Sequence, residues 1–263
     1  MDLGLKGRVA LVAAASKGLG RAVAKELAAE GTDLIICART VEPLMKVKED
    51  LERQWGIRVM ARPTDVGDAV ATEQLVQQGI AEFGRVDILV TNAGGPPPGP
   101  FEAHSLEVWR DAIRQNLESV LILVRQVLPG MKERRWGRIL NITSMAVKQP
   151  VDNLILSNSV RAAVTGFART LANEVASYGV TVNNVLPGFT LTERLEELAA
   201  RSAAAEGVPE EEIFDRFRSQ VPMVRIGEPR EFAAVVAFLA SDRASYVTGA
   251  SIPVDGGWIK ALY

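Results

Sequence analysis

The chain has 263 residues but only one cysteine, Cys37, and one histidine, His104. A single cysteine excludes an intrachain disulfide. With one histidine beside it, soft ligands are too few for an ordinary zinc site or a Ser-His-Asp triad, so no metal is expected. Aromatic residues make up 6% of the chain, and uncharged apolar runs such as Val120 to Val124 fall far short of the roughly 18 residues that span a bilayer. Charge of one sign is lacking too. Lys+Arg of 30 against Asp+Glu of 32 gives a formal net charge of -2, without the basic surplus that phosphate-backbone recognition uses. Neither nucleic acid nor a membrane is an expected partner. The opening MDLGLKGRV has no basic stretch followed by an apolar one, which makes the cytoplasm the expected compartment.

What is present is the composition of a soluble globular protein, 48% hydrophobic and 24% charged. Short β-branched apolar runs at Arg8–Ala13, Asp33–Ala38, Ile57–Ala61 and Val86–Thr91 alternate with amphipathic stretches. The series continues through Arg138–Thr143, a long helix over roughly Ser157 to Tyr178, then Val180–Leu186 and Ser251–Asp255. Such alternation predicts βαβ units, hence an α/β fold with a doubly wound parallel sheet of Rossmann type. No linker interrupts it, so residues 1–263 read as a single domain. The exception is Leu191 to Val221, a charged, helix-favouring insertion after the sixth strand. Open α/β sheets bind ligands beyond the carboxyl ends of their strands, so this segment is expected to form a helical lid.

The first strand runs into Ala13-Ala14-Ala15-Ser16-Lys17-Gly18-Leu19-Gly20, which opens a helix. Glycines at such a turn let the backbone approach a pyrophosphate, whose charge is met by helix N-terminal amides. At the end of the second strand, where an acid holding the ribose hydroxyls of NAD is usual, the chain reads Cys37-Ala38-Arg39-Thr40. Arg39, with Lys17 in the turn, suits a 2′-phosphate and favours NADP over NAD.

These segments, with Asp65-Val66, Asn92-Ala93-Gly94, Asn116, Asn141-Ile142-Thr143-Ser144, Pro187-Gly188 with Thr190 and Thr192, and Tyr246-Val247-Thr248-Gly249 with Val254-Asp255-Gly256-Gly257, follow a family's order and spacing. From about Leu5 to Trp258 the chain resembles a short-chain dehydrogenase/reductase, most like the 3-oxoacyl-acyl-carrier-protein reductases. The resemblance implies a nucleotide held by Ala14, Ser16, Lys17, Gly18, Leu19 and Gly20, with Asp65 and Val66 near the adenine. It implies that Asn92, Ala93 and Gly94 shape the central cofactor pocket, that Pro187, Gly188 and Thr190 bind the cofactor, and that Thr192 lies near the nicotinamide amide or the pyrophosphate.

The family's active site combines an asparagine, a serine and a Tyr-x-x-x-Lys pair. By resemblance the first two are Asn116 and Ser144. The tyrosine is due thirteen positions after Ser144, where this chain has Ser157, and the lysine is replaced by Arg161. Downstream Gly166, Leu171, Glu174, Tyr178 and Gly179 keep the family's register, so the replacement is real. An aliphatic hydroxyl is a far weaker acid than a phenol and too short to reach its place. Arginine holds charge or ribose hydroxyls but does not readily give up a proton. The family's first loop glycine is also replaced, by Ala14, which requires a suitable backbone angle. Tyr178, Tyr246 and Tyr263 stand in structural or terminal segments and offer no evident substitute. His104 and Lys148 are weaker catalytic candidates, and Cys37 reads as packing.

The expected function is NADP(H)-dependent oxidation or reduction of a small carbonyl or alcohol substrate at an atypical site. Its proton would come from a water held between Ser144, Ser157 and Arg161, with Asn116 nearby. Two alternatives stay open: a nucleotide-binding or scaffold relative without turnover, and a non-redox dehydratase or isomerase. Val221, Met223 and Val224 hint at a moderately apolar substrate. The resemblance further implies a homo-oligomer, a tetramer, packed through helices beginning near Asn116 and Ser157. The second of these is expected to expose Ala162, Ala163, Val164 and Phe167.

Overall fold

A computed structural model describes residues 2–262. Its strands are β1 (Val9–Val12), β2 (Asp33–Ala38), β3 (Val59–Pro63), β4 (Ile88–Thr91), β5 (Gly137–Ile142), β6 (Val180–Pro187) and β7 (Ser251–Val254). All pair in parallel, in the order β3-β2-β1-β4-β5-β6-β7. The connections carry α1 (Gly18–Ala29), α2 (Val41–Trp55), α3 (Ala69–Phe83), α4 (Leu106–Ile113), α5 (Ser119–Glu133), α6 (Ile155–Val175), α7 (Glu193–Glu206), α8 (Glu210–Gln220) and α9 (Pro229–Ala240).

The strands read as continuous apolar runs because both faces of the sheet are covered. In β1, Ala10 and Val12 join a layer with Val23 and Leu27 of α1, Leu44 of α2 and Phe232 and Val236 of α9. Val9 and Leu11 point the other way, into a layer with Leu75 of α3, Leu123 and Val127 of α5 and Leu171 of α6. Strand order reverses between β1 and β4, and the crevice above that point is where such sheets take nucleotides. The two strand ends are tied there, the Ala13 amide donating to the Val90 carbonyl at 3.1 Å.

The expected α/β architecture is present, with local differences. The third strand begins at Val59 rather than Ile57: Gly56, at φ 65°, closes α2, and the Arg58 amide is spent on the Asp33 carboxylate. The long helix starts at Ile155 and ends at Val175, followed by a tight turn over Ala176–Tyr178. Val164 is not exposed as expected. It packs against the sheet while Ala162 and Ala163 face outward and Phe167 is half-buried, because an i, i+4, i+8 stripe through Val160, Val164 and Ala168 is the inner face. The insertion Leu191–Val221 holds α7 and α8, packed together through Ala199, Ala203 and Ile213. Among the described residues no helix is long and apolar enough to cross a membrane.

Candidate active site

The turn from β1 into α1 keeps its shape without the family's first glycine. Ala14 adopts φ 51°, the left-handed conformation in which glycine is at ease. Gly20 cannot be replaced so cheaply, since a Cβ there would lie 2.3 Å from the Ala14 carbonyl oxygen. No side chain caps α1 and its first turn holds no acid, so its N-terminal amides suit a phosphate. Ser16, Lys17, Gly18 and Leu19 all lie in this turn, half-buried except for the exposed Lys17.

At the neighbouring strand end Arg39 is exposed and, among the described residues, has no carboxylate within ion-pair distance, although its charge reaches Asp65. Asp65 accepts from the Gly67 amide and the Gln115 side chain, each at 2.9 Å. Burial opposes its ionisation, but those two hydrogen bonds and the charges of Arg39 and Arg114 hold its carboxyl below the usual range. Val66 beside it is buried. Cys37 is also buried, which pushes its thiol up to about 12 against a smaller effect of the Ala14 backbone, so it is a packing residue.

The next group sits around a small cavity lined by Asn92, Ala93, Asn116, Ile142, Thr143 and Arg161, among others. Asn116 enters it because the helix widens into a π-helical turn over Arg114–Glu118, a distortion that redirects a side chain. Its Nδ2 donates to the Ala112 carbonyl at 3.2 Å, leaving a buried Oδ1 without a partner. The Thr143 hydroxyl is likewise buried and unpaired. Arg161 donates from Nη1 to the Ile142 carbonyl at 2.9 Å. Burial, and then the charge of Arg194, bring its basicity down to about 10, so it remains a cation at neutral pH. From Thr91, which also lines the cavity, a largely buried polar ladder joins four strands: Thr91 donates to Asn141, Asn141 to Asn184, and Asn184 to Ser251.

Ser144 and Ser157 do not line that cavity. Ser144 lies two residues beyond the end of β5 and accepts the Ala146 amide at 3.1 Å, starting the turn that Lys148 closes. Ser157 is half-buried one helical turn before Arg161. Gly94 lies in the loop after β4. At the end of β6, Pro187 leads into Gly188, where a Cβ would stand 2.6 Å from the Asp255 Cα. Thr190 is buried, and Thr192 caps α7, accepting the Leu195 amide at 3.4 Å.

Other candidates fall away from this group. His104 packs against Gly99, its Nε2 buried and unpaired. Tyr178 lies under the Lys132 ammonium, which is 4.0 Å from its ring centre; Tyr246 is wholly exposed, and Tyr263 lies outside the described residues. Val221 is buried with Met145 and Trp258, and together with Met223 it borders a separate cleft beside β7. The hint about the substrate drawn from Val221, Met223 and Val224 therefore does not attach to the Asn116–Arg161 cavity.

Sequence reasoning missed Thr143, Gln115 and Arg194. The last donates from α7 to the Pro96 carbonyl at 3.0 Å. The same helix reaches the phosphate turn, with Glu193 3.3 Å from Arg21 and Glu197 3.4 Å from Lys17.

Residues 13–259 match a family model described as enoyl-(acyl carrier protein) reductase. The granaticin polyketide synthase putative ketoacyl reductase 1 of Streptomyces violaceoruber is 39% identical over 251 residues, 95% of this chain and 92% of that protein. The 3-oxoacyl-[acyl-carrier-protein] reductase FabG of Escherichia coli is 36% identical, covering 97% of this chain and 98% of its own. Among solved structures, L-sorbose reductase of Gluconobacter frateurii, complexed with NADPH and L-sorbose, superposes with a TM-score of 0.95 at 31% identity over 100% of both chains. With its parallel sheet, its glycine turn at the switch point and this likeness along nearly its whole length, the chain belongs to the short-chain dehydrogenase/reductase family and resembles its 3-oxoacyl-acyl-carrier-protein reductases.

Proposed function

We infer that the chain is an NADP(H)-dependent oxidoreductase acting on a carbonyl or alcohol group. The observation that carries this reading is the uncapped, glycine-tight turn at Ala13–Gly20, with Arg39 in place of an acid at the end of β2. Its relatives named as ketoacyl reductases, and a structural neighbour that binds NADPH, agree with it.

The first amides of α1 would hold the pyrophosphate, Arg39 with Lys17 the 2′-phosphate, and Asp65 and Val66 the adenine. The residues from Asn92 to Gly94 and from Pro187 to Thr192 would surround the nicotinamide half, with Arg161 at its ribose. The nicotinamide supplies or accepts the hydride when bound. This chain's own residues must handle the charge and the proton. Arg161 stays protonated and stabilises a developing oxyanion. Neither it nor Ser157 is a competent acid near neutrality. The cavity of about 10 Å³ between Asn116 Oδ1, Thr143 Oγ1 and Arg161 is the size of one water, with the polar partners a water needs. A water is thus the proposed proton donor. It is held by Asn116, Thr143 and Arg161 rather than by the two serines.

The test is a fluorescence titration with NADPH and NADH followed by a panel of carbonyl compounds. NADPH is expected to bind more tightly, and Arg39→Ala to weaken NADPH selectively. Equal affinities would remove the basis for the assignment. The missing phenol favours a second reading, a nucleotide-binding relative without turnover; it is preferred if NADPH binds and no carbonyl compound is reduced. We also propose a homotetramer, supported by the outward-facing Ala162 and Ala163 on α6.

A further inference from the structure

Gln115 and Asn116 are neighbours in the π-helical turn over Arg114–Glu118, and their side chains go to different places. Asn116 lines the small cavity, whereas the half-buried Gln115 reaches the loop that follows β3. There its Nε2 donates to Asp65 Oδ1 at 2.9 Å, although 50 positions separate the two residues. The Gly67 amide donates to the same oxygen, also at 2.9 Å. Gln115 is tied down in turn, since its carbonyl accepts the Ser119 hydroxyl at 2.7 Å.

The loop is shaped to admit this side chain. A Cβ on Gly67 would lie 2.4 Å from Gln115 Nε2 and 2.7 Å from its Cδ, so the amide reaches Asp65 only because residue 67 has no side chain. Gly67 has no left-handed backbone angle that would call for glycine on its own account. Space is what it supplies.

Two donors thus fix one oxygen of Asp65, and among the described residues no hydrogen bond is made to the other. Burial acts against ionisation of this carboxyl, but the Gly67 amide, Gln115 and the charges of Arg39 and Arg114 outweigh it. An ionised carboxylate only accepts, so Oδ2 selects a donor. Adenine offers one in its 6-amino group, whereas a 6-oxo purine presents a carbonyl oxygen that a carboxylate repels.

We propose that Gln115 is a positioning residue for purine selection: by holding Asp65 Oδ1 it presents Oδ2 to the 6-amino group of adenine. This rests on the reading of the chain as an NADP(H) binder with its adenine beside Asp65. Without Gln115 the carboxylate keeps only the Gly67 amide and turns about that bond.

The test is a fluorescence titration with NADPH and with its hypoxanthine analogue, which carries an oxo group in place of the 6-amino group. The parent protein is expected to bind NADPH about 10- to 100-fold more tightly, the range for a hydrogen bond to a charged group. Gln115→Met keeps the length of the side chain but removes its donor, and is expected to lower that ratio about 5- to 10-fold. Gly67→Ala should do the same by displacing an unchanged Gln115, which covers the case in which the first variant folds poorly. A glutamine with only a structural role would weaken both nucleotides alike. A ratio that stays at the parent's value in either folded variant therefore overturns the proposal, and so does equal binding of the two nucleotides by the parent. If the parent binds neither, the NADP(H) reading falls and takes this proposal with it, whereas tight binding without preference removes the proposal alone.

Discussion

Ala14 shows how a single residue can depart from a motif without destroying the turn. At φ 51° its methyl group costs about 1–2 kcal/mol relative to a relaxed conformation. Glycine would remove that cost but free the unfolded chain by about 0.4–1 kcal/mol. Ala14→Gly is therefore expected to stabilise the protein by up to about 1.6 kcal/mol in urea unfolding. A neutral or destabilised variant would show that the neighbouring backbone already compensates. Ser157 and Arg161 call for a different change, because there the chemistry departs and not the backbone. The double variant Ser157→Tyr with Arg161→Lys restores a positioned acid and should raise carbonyl reduction by at least about 100-fold. If it folds and binds NADPH without that gain, the pocket differs from its relatives in more than these two side chains. Both departures were legible because a fixed spacing says which residue should be there. Arg194 was not. It is one of several charged residues on an amphipathic helix, and only its meeting with Pro96, 98 positions earlier, distinguishes it.

At the scale of elements, helices with a regular apolar stripe could be read from the sequence, and those that break the period could not. α4 and the π-helical turn after it fall in the second class, since a π turn shifts the apolar positions out of the 3.6-residue repeat just where Asn116 is placed. The insertion was legible as helical, but its contacts were hidden. α7 sets Glu193 and Glu197 against Arg21 and Lys17, and Glu193 Oε2 lies 3.6 Å from where a Cβ on Gly18 would be. Two carboxylates thus stand beside amides and cations suited to phosphates. Exposed ion pairs of this kind contribute about 0–1 kcal/mol each. Glu193→Gln with Glu197→Gln is accordingly expected to tighten NADPH binding a few-fold, most clearly at low salt, as read by fluorescence titration. Weaker binding in that variant would mean that α7 supports the bound nucleotide instead of competing with it.

For the whole molecule, the doubly wound parallel sheet followed from the alternation of strands and helices, because parallel crossovers leave few topologies open; its strand order is read from the structure. Assembly is less constrained by such rules, since it depends on which covered faces remain apolar after folding. On α6 the inner stripe of Val160, Val164, Ala168 and Leu171 is spent on the chain's own core. Ala162, Ala163 and Gly166 are exposed and Phe167 half-buried on the remaining surface, where a lone helix of a monomer would carry charge. Small side chains permit another helix to approach closely, and a two-fold axis would set this surface against its own copy. Light scattering at micromolar concentration is therefore expected to show an oligomer. Ala163→Arg should shift it toward smaller species, because an introduced cation would meet its symmetry mate across the axis, while circular dichroism and NADPH binding stay near the parent's. A monomeric parent protein, or a variant whose mass is unchanged, would place the contact elsewhere or remove it.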